Sequence, residues 1–467
     1  MTYPARFTFD ELLDEPGTRR LRLVVVLLCA VVSTLDGFDL QAIALAAPAI
    51  AESWGVGASA FGAVFGVGLF GSLVGALLLG RLGDRFGRRR VLLISVAVFT
   101  ACSLATPLVG SVAGLVVVRF LTGIGLGGAL PSAIALTSEY TPRRSRGTVV
   151  GLMFCGYPFG GVLAGLLSAP LIPAFGWASV FVVGGVLPLV LLPVLWTSLP
   201  ESAQFLNVTG DRVGLGAVLR RMGSRVDAAS VEPEHAPDRS PVVRLFTEGR
   251  AAGTLLIWAT MFMALLLAYL LTSWVPLVTR AAGAGAGGAA LAVAALNVGA
   301  IAGCLVFGRL ADRLRPTVVI GVAFCLGASA IAALGHVGPE VGALLVVTFA
   351  AGFGGIGGQM CMVAVTANFY ETSLRATGIG ASMGVGRIGG ILGPVLGGLL
   401  VGAGAGAPAV FGVAAGAALC AAVAIVAMGI VTRERRRRPV SRSSGVRPPT
   451  AGAPAVGKGS ASRRNGI

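Results

Sequence analysis

Twelve runs of apolar residues, each of roughly membrane-spanning length, dominate this chain. They cover approximately residues 21–47, 59–80, 91–109, 112–134, 147–169, 178–199, 251–275, 287–307, 317–335, 341–365, 376–400 and 408–431. A transmembrane helix needs about 20 mostly apolar residues. Only 12% of the residues are charged, whereas soluble domains carry roughly a quarter. The sequence therefore predicts an all-α membrane protein with twelve transmembrane helices, and it excludes a soluble globular domain.

The positions of the basic residues predict which side of the membrane each connection occupies. Of the 36 lysines and arginines, all but three lie in the terminal segments, counting Arg22 at the start of the first run with the N-terminal one, or in the connections after the second, fourth, sixth, eighth and tenth runs. The exceptions are Arg119, Arg280 and Arg387. Because basic residues accumulate on the cytoplasmic side of membrane spans, we expect cytoplasmic N- and C-termini in the inner cell membrane. The net charge of +16 is explained by this topology, and we expect no nucleic-acid partner.

The two ends of the chain differ in charge. The N-terminal segment 1–20 is too long and too acidic for the start of a signal peptide, so we expect the first run to be a permanent span. The C-terminal tail 432–467 is strongly basic, and we expect it to be disordered and close to anionic lipid. Its arginines are not interleaved with aromatic residues, which argues further against nucleic-acid binding.

A repeated pattern divides the chain into two halves. The segment Gly80-Arg-Leu-Gly-Asp84-Arg85 recurs as Gly308-Arg-Leu-Ala-Asp312-Arg313. Glycine pairs in the fourth and fifth runs recur, at nearly the same offset, in the tenth and eleventh runs. These matches predict two pseudo-symmetric six-helix bundles in the same orientation, residues 21–199 and 251–431, joined by a polar linker, residues 200–250. Parallel halves of this kind are typical of transporters with a substrate site at the interface between the halves.

Several segments resemble signatures of the major facilitator superfamily. They are Gly80-Arg-Leu-Gly-Asp84-Arg85-Phe-Gly87-Arg88-Arg89, Arg119-Phe-Leu-Thr-Gly123, Glu139 with Arg146-Gly147, and Pro200-Glu201-Ser202. The resemblance covers residues 21–431. It implies a permease that works by alternating access, acts as a monomer in the bilayer, catalyses no reaction and uses no cofactor except the proton as coupling ion.

Two further motifs resemble one group within that superfamily, the aromatic acid:H⁺ symporters. They are Asp36-Gly37-Phe38-Asp39 in the first run and Gly386-Arg387-Ile-Gly-Gly in the eleventh. This resemblance implies proton-coupled uptake of a small aromatic carboxylate such as benzoate, hydroxybenzoate or protocatechuate. The alternatives are an H⁺ symporter of another organic acid such as a dicarboxylate, a drug:H⁺ antiporter, and a non-transporting membrane sensor on the same fold.

Four ionisable side chains lie well inside the apolar runs: Asp36, Asp39, Arg119 and Arg387. Charged groups at this depth are costly and usually functional. The two aspartates are spaced i, i+3 and therefore share one helix face. In a low-dielectric setting each disfavours the ionisation of the other, so we expect one of them to carry the proton. The structural alternative is a permanent Asp–Arg pair, or an aspartate that caps a helix break at Gly37.

The two buried arginines have separate predicted roles. Guanidinium matches the planar geometry of a carboxylate, and Arg387 lies in a glycine-rich stretch that leaves room for a ligand. We expect Arg387, with Asp39, to bind substrate; the alternative is an ion pair with Asp36 or Asp39. For Arg119, the resemblance implies coupling of the proton to the substrate. Its alternative is a supporting partner of Asp36 or of other polar groups on the first helix.

The loop signatures predict gating residues. The resemblance implies that Asp84 caps a facing helix N-terminus and pairs with a loop arginine in one conformation only. Such a contact stabilises a helix by roughly 0.3–1 kcal/mol; the alternative is a solvated turn. The predicted gating residues of the first half are Gly80, Asp84, Arg85, Gly87, Arg88, Glu139 and Arg146. Asp312 and Arg313 are the equivalent predicted gating residues of the second half.

Other polar residues inside the runs are weaker candidates. Tyr269 and Asn297 are predicted to contact the substrate ring or a hydroxyl on it, and the alternative for both is hydrogen bonding between helices. The seven cysteines all lie in apolar runs and read as small buried residues. The sequence shows no spaced Cys/His set for a metal, no nucleophile triad and no phosphate loop.

Overall fold

Twelve long, apolar helices form the molecule. The computed structural model describes residues 9–13, 16–224, 226, 230–231 and 242–437. The prediction of an all-α protein with twelve transmembrane helices is confirmed. Expectations for residues 1–8, for most of 225–241 and for the tail beyond residue 437 concern residues outside the described ones.

The first half contains helices α1 (Arg19–Trp54), α2 (Ala60–Phe86), α3 (Arg88–Ala105), α4 (Val112–Glu139), α5 (Arg146–Phe175, interrupted at Cys155) and α6 (Ala178–Ser198). The second half contains α7 (Ala251–Ala281), α8 (Ala286–Arg313), α9 (Pro316–Leu334), α10 (Val341–Phe369, with a π-helical turn at Gly352–Ile356), α11 (Thr372–Gly402) and α12 (Ala407–Arg437). Short helices lie at Phe9–Leu12, Ala203–Val208 and Arg212–Met222, and 3₁₀ turns lie at Pro16–Thr18, Thr106–Leu108 and Val242–Phe246.

Glycines bring helices into backbone contact in the same way in both halves. A Cβ added at Gly71 of α2 would lie 2.3 Å from the carbonyl oxygen of Phe120 on α4. In the second half, a Cβ at Gly303 of α8 would lie 2.0 Å from the carbonyl oxygen of Phe353 on α10. Small residues allow such close approach in membrane helices, where packing rather than the hydrophobic effect drives association. This repeated packing explains why the glycine patterns recur along the chain.

The two halves meet along α1 with α7, α2 with α11, and α5 with α8. Because the number of spans is even, the first and last helices begin and end at one face of the bundle. We call this the basic face, because it also carries the arginine-rich loops, and we call the other the opposite face. Near the opposite face an ion pair of 2.7 Å joins Glu52 at the end of α1 to Arg280 at the end of α7.

The halves separate toward the basic face. Gly62 of α2 is so close to Gly398 of α11 that an added Cβ would lie 2.8 Å from the Cα of Gly398. Gly80 and Gly380 lie about five helical turns further along the same faces of these two helices. A Cβ added at either position would meet nothing within 4 Å. The molecule is therefore closed at the opposite face and open at the basic face.

Candidate functional site

A buried ion pair links α1 to α4. Nη1 of Arg119 lies 3.2 Å from Oδ2 of Asp39, and the two residues are only 3% and 1% exposed. Nη2 of Arg119 donates a hydrogen bond of 2.9 Å to Oγ1 of Thr106. The guanidinium also lies 5.1 Å from the centre of the Phe181 ring, a favourable cation–π distance. All of these contacts are within the first half, so Arg119 and Asp39 form a fixed element of one bundle.

Asp36 lies one helical turn from Asp39 and has a different environment. Its side chain is buried, and Oδ2 has no hydrogen-bond partner among the described residues. The adjacent Gly37 explains its placement, because a Cβ there would lie 1.9 Å from the carbonyl oxygen of Tyr157. Glycine therefore lets α5 touch α1 at the residue beside Asp36. The result is a carboxyl group without a paired cation in the centre of the bundle.

Arg387 of α11 reaches across the interface between the halves. Its Nη1 donates a hydrogen bond of 3.2 Å to the backbone carbonyl of Ser72 on α2. Within the described part of the chain, no carboxylate lies within the 4.0 Å that defines an ion pair with Arg387. A carbonyl satisfies one N–H group but does not neutralise the positive charge. The guanidinium is half-buried and keeps its other donors for a ligand.

These side chains surround one cavity of about 90 Å³ between the halves. Its polar lining residues are Asp36, Asp39, Ser72, Arg119, Thr122, Tyr157, Tyr269, Ser273 and Arg387, and its apolar wall includes Leu40, Ile43, Val64, Phe65, Leu69, Leu126 and Leu130. The volume holds several water molecules. An apolar wall with a few converging polar groups is the usual form of a small-molecule site. Five of the predicted coupling and substrate residues thus come together, from four helices.

Asn297 is not among the residues that line the cavity. Its Nδ2 donates to the carbonyl of Val293 at 2.8 Å, and its Oδ1 accepts a long hydrogen bond of 3.5 Å from Nε2 of Gln41. A Cβ at Gly161 would lie 2.6 Å from the Asn297 amide. In this conformation Asn297 therefore bridges α8 to α1 and α5, which matches the alternative of hydrogen bonding between helices. Its contact with substrate stays a prediction.

Sequence reasoning missed two contributors to this site. Tyr157 lines the cavity, but in the sequence it is one polar residue among many inside the apolar runs. Ser72 contributes a backbone carbonyl to Arg387, and every residue type has such a carbonyl. No sequence signal distinguishes a carbonyl that meets a charge from the others, so only the fold reveals it.

At the basic face, Glu201 caps the N-terminus of α3. Its Oε1 accepts hydrogen bonds from the backbone N–H groups of Arg89, at 2.8 Å, and of Ser202, at 2.9 Å. Gly87 precedes the helix with φ of 102°, a conformation that favours glycine, and a Cβ there would lie 2.4 Å from Oε2 of Glu201. A carboxylate at this position complements the positive end of the helix dipole. Glu201 therefore caps α3, and the cap that the resemblance assigns to Asp84, at a facing helix and in one conformation only, stays a prediction.

The other predicted gating residues of the first half lie around this cap. Asp84 is paired with Arg88 in its own loop, and Oε2 of Glu139 accepts a hydrogen bond of 2.5 Å from Oγ of Ser202. Nε of Arg146 donates to the carbonyl of Thr141 at 3.4 Å. Arg85 is exposed, and Gly80 faces open space.

The second-half gating residues have a different setting. Asp312 and Arg313 are exposed at the end of α8. The ion pair that ties the linker to this half lies elsewhere, between Nη1 of Arg250 and Oε1 of Glu371 at 3.0 Å. The sequence repeat therefore marks equivalent loops whose contacts differ in this conformation, and the gating roles of these residues stay predictions.

Comparison with known proteins agrees with this architecture. The family model described as Major Facilitator Superfamily matches residues 29–340 and 257–465. The chain is 39% identical to a gallate transporter of Pseudomonas putida, over 89% of this chain and 94% of the relative. It is also 39% identical to a 4-hydroxybenzoate transporter of Pseudomonas putida, over 81% and 86%. Its fold is similar to that of the inward-open xylose transporter of E. coli, with a TM-score of 0.68, 17% identity, and coverage of 87% and 95%.

Proposed function

This chain belongs to the major facilitator superfamily of transporters, and we propose that it takes up a small aromatic carboxylate together with a proton. Transporters named for gallate and 4-hydroxybenzoate are its relatives at 39% identity, which supports an aromatic acid as substrate. The observation that carries the proposal is local: Arg387 and Asp36, neither of which forms an ion pair with any described residue, face one central cavity between the two halves.

Arg387 binds the substrate carboxylate in this proposal. Its guanidinium offers a planar fork of donors that fits a carboxylate with two parallel hydrogen bonds. Among the described residues, no carboxylate lies within 4.0 Å of this guanidinium, so its donors are not already engaged by a protein carboxylate. The ring of the substrate then lies against the apolar wall that includes Leu40, Phe65 and Leu69.

Asp36 carries the coupled proton, and Asp39 does not. Asp39 already has a compensating cation, since Nη1 of Arg119 lies 3.2 Å from its Oδ2. An uncompensated carboxylate in the interior is far more expensive than its neutral, protonated form. Protonation of Asp36 and binding of an anion at Arg387 together bring no net charge into the cavity, so the loaded carrier can close around its cargo.

The orientation of the carrier in the membrane follows from the charges at the two faces. We assign the basic face to the cytoplasm, since basic loops accumulate on that side, so the described conformation is open to the cytoplasm. The opposite face is then the outer gate, closed by the contact of Gly62 with Gly398 and by the Glu52–Arg280 pair. Alternating access requires these contacts to break while the halves close at the basic face.

Uptake into proteoliposomes tests the proposal. We expect the purified protein to accumulate labelled 4-hydroxybenzoate when the outside is more acidic, and unlabelled benzoate to compete while succinate does not. Arg387→Gln, which removes the charge but keeps a polar side chain, abolishes uptake; the matched control Arg280→Gln, at the opposite face, retains binding of the acid. Transport of succinate in preference to any aromatic acid contradicts the proposal.

A further inference from the structure

A second cavity, of about 210 Å³, lies between the halves at the opposite face. Its two charged lining residues are Glu52 of α1 and Arg280 of α7, which form the ion pair of 2.7 Å described above. The rest of its wall is apolar, comes from α1, α5, α7 and α8, and includes Leu45, Pro48, Ile172, Pro276, Ala289 and Ala290. We call this space the outer cavity. Because a cavity of about 150 Å³ can hold benzene, the outer cavity has room for an aromatic ring.

The outer cavity follows the central cavity along two helices. On α1, Ile43 lines the central cavity and Leu45 lines the outer one, and α7 contributes to the two cavities in the same order. Near this level the long hydrogen bond between Gln41 and Asn297 joins the halves. A solute that crosses the bundle from the opposite face therefore reaches the outer cavity before the central one.

Arg280 gives the outer cavity a group that binds anions. It is the one lysine or arginine in the connections at the opposite face. The side chain of its partner, Glu52, is 65% exposed, and exposed ion pairs contribute little to stability because water competes for both charges. A carboxylate from solution can therefore replace Glu52 at little cost. An aromatic carboxylate gains in addition from burial of its ring against the apolar wall.

We propose that the outer cavity is an entry site for the aromatic acid, at which Arg280 exchanges Glu52 for the carboxylate of the substrate. The proposal rests on the function proposed above, in which Arg387 holds the acid in the central cavity. Glu52 belongs to the first half and Arg280 to the second, so this exchange also breaks the ion pair that joins the halves at the opposite face. Because the acid occupies Arg280 only where the pair is broken, its binding favours opening of the outer gate.

Uptake kinetics in intact cells test the exchange, because labelled 4-hydroxybenzoate then reaches the carrier from outside. We expect Arg280→Gln to raise the half-saturating concentration by about fivefold, the effect of one hydrogen bond to a partly exposed charged group. Glu52→Gln should lower the half-saturating concentration, because it removes the competing carboxylate and leaves the cation. A pair that serves only as a latch is broken equally by both changes, so shifts in the same direction overturn the inference.

Glu340→Gln is the matched control for Glu52→Gln. Glu340 is an exposed glutamate at the start of α10, at the same face, and it lines neither cavity. Its substitution should leave the half-saturating concentration unchanged.

Binding of 4-hydroxybenzoate to the purified protein in nanodiscs, followed by saturation-transfer NMR, separates the two sites. Arg387→Gln removes the cation of the central site, so the remaining signal should come from the outer cavity and should disappear when Arg280→Gln is added. Arg280→Gln alone keeps the central site and the binding expected there. Loss of all signal in Arg387→Gln overturns the entry site, and so does an undiminished signal in the double variant. Wild-type protein that gives no signal with any aromatic acid contradicts the proposed function instead.

Discussion

Arg119 and Asp39 form a buried ion pair of 3.2 Å, and this pair divides the roles of two carboxyl groups that the sequence leaves equivalent. Asp36 is on the same helix, one turn away, and its Oδ2 has no hydrogen-bond partner within the part of the chain that the structure describes. Since a charge in the interior needs a partner, this difference in environment supports the proposal that Asp36, and not Asp39, carries the coupled proton.

Removal of Arg119 should destabilise the first half. Arg119→Gln leaves the Asp39 carboxylate buried and uncompensated, and breaking one partner of a buried pair typically costs about 3–5 kcal/mol. We expect a lower midpoint of thermal unfolding in detergent, followed by the fluorescence of the native tryptophans. The double variant Asp39→Asn with Arg119→Gln should recover much of this loss. A double variant whose loss equals the sum of the single losses contradicts the pairing.

The glycine contacts between α2 and α11 should control the conformation of the carrier. A leucine at Gly398 clashes with Gly62 and disfavours closure of the opposite face. The same change at Gly380 meets open space in this conformation, so it disfavours only the state that closes the basic face. The accessibility of the cavity can be followed by the rate at which Thr122→Cys is alkylated in a protein without native cysteines. This rate should change in opposite directions in the two variants. Identical shifts argue against this arrangement of the halves.

The Glu201 cap should contribute to stability at the basic face. Glu201→Ala removes the acceptor for the N–H groups of Arg89 and Ser202, and losing a cap costs about 0.5–2 kcal/mol. Glu340, the N-cap residue of α10, makes no side-chain cap hydrogen bond, which makes Glu340→Ala a matched control. The difference between the two unfolding midpoints measures the cap, and equal midpoints rule it out.

Much of this architecture was predictable because it depends on which segments are apolar and where the charged residues lie, and both are visible in the sequence. Twelve apolar runs, and charges restricted to alternate connections, follow directly from the cost of placing charge in hydrocarbon. The same cost made Asp36, Asp39, Arg119 and Arg387 stand out, and all four line the cavity. Tyr269, predicted from the sequence as a contact for the substrate ring or its hydroxyl, lines the same cavity, and its contact with substrate stays a prediction.

The pairing of these groups was not predictable, since it depends on how helices rotate and cross. Nothing in the spacing of Asp36 and Asp39 indicates that Arg119 reaches the second and not the first. The same uncertainty left two alternatives for Asn297, a contact with substrate or hydrogen bonds between helices; here it bonds to Val293 and Gln41, and the contact with substrate stays a prediction. The sequence also does not indicate which face of the bundle is closed, because that depends on the conformation that the carrier adopts.

The central claim is that Asp36 carries the coupled proton, and one variant tests it most directly. Asp36→Asn keeps the shape and polarity of the side chain but resembles the protonated carboxyl permanently. In proteoliposomes we expect this variant to exchange labelled against unlabelled 4-hydroxybenzoate at a rate near that of the wild type, because exchange needs no net proton movement. It should fail to accumulate the acid when a pH gradient is imposed. Accumulation at the wild-type level would contradict the account, since the proton would then travel by another group.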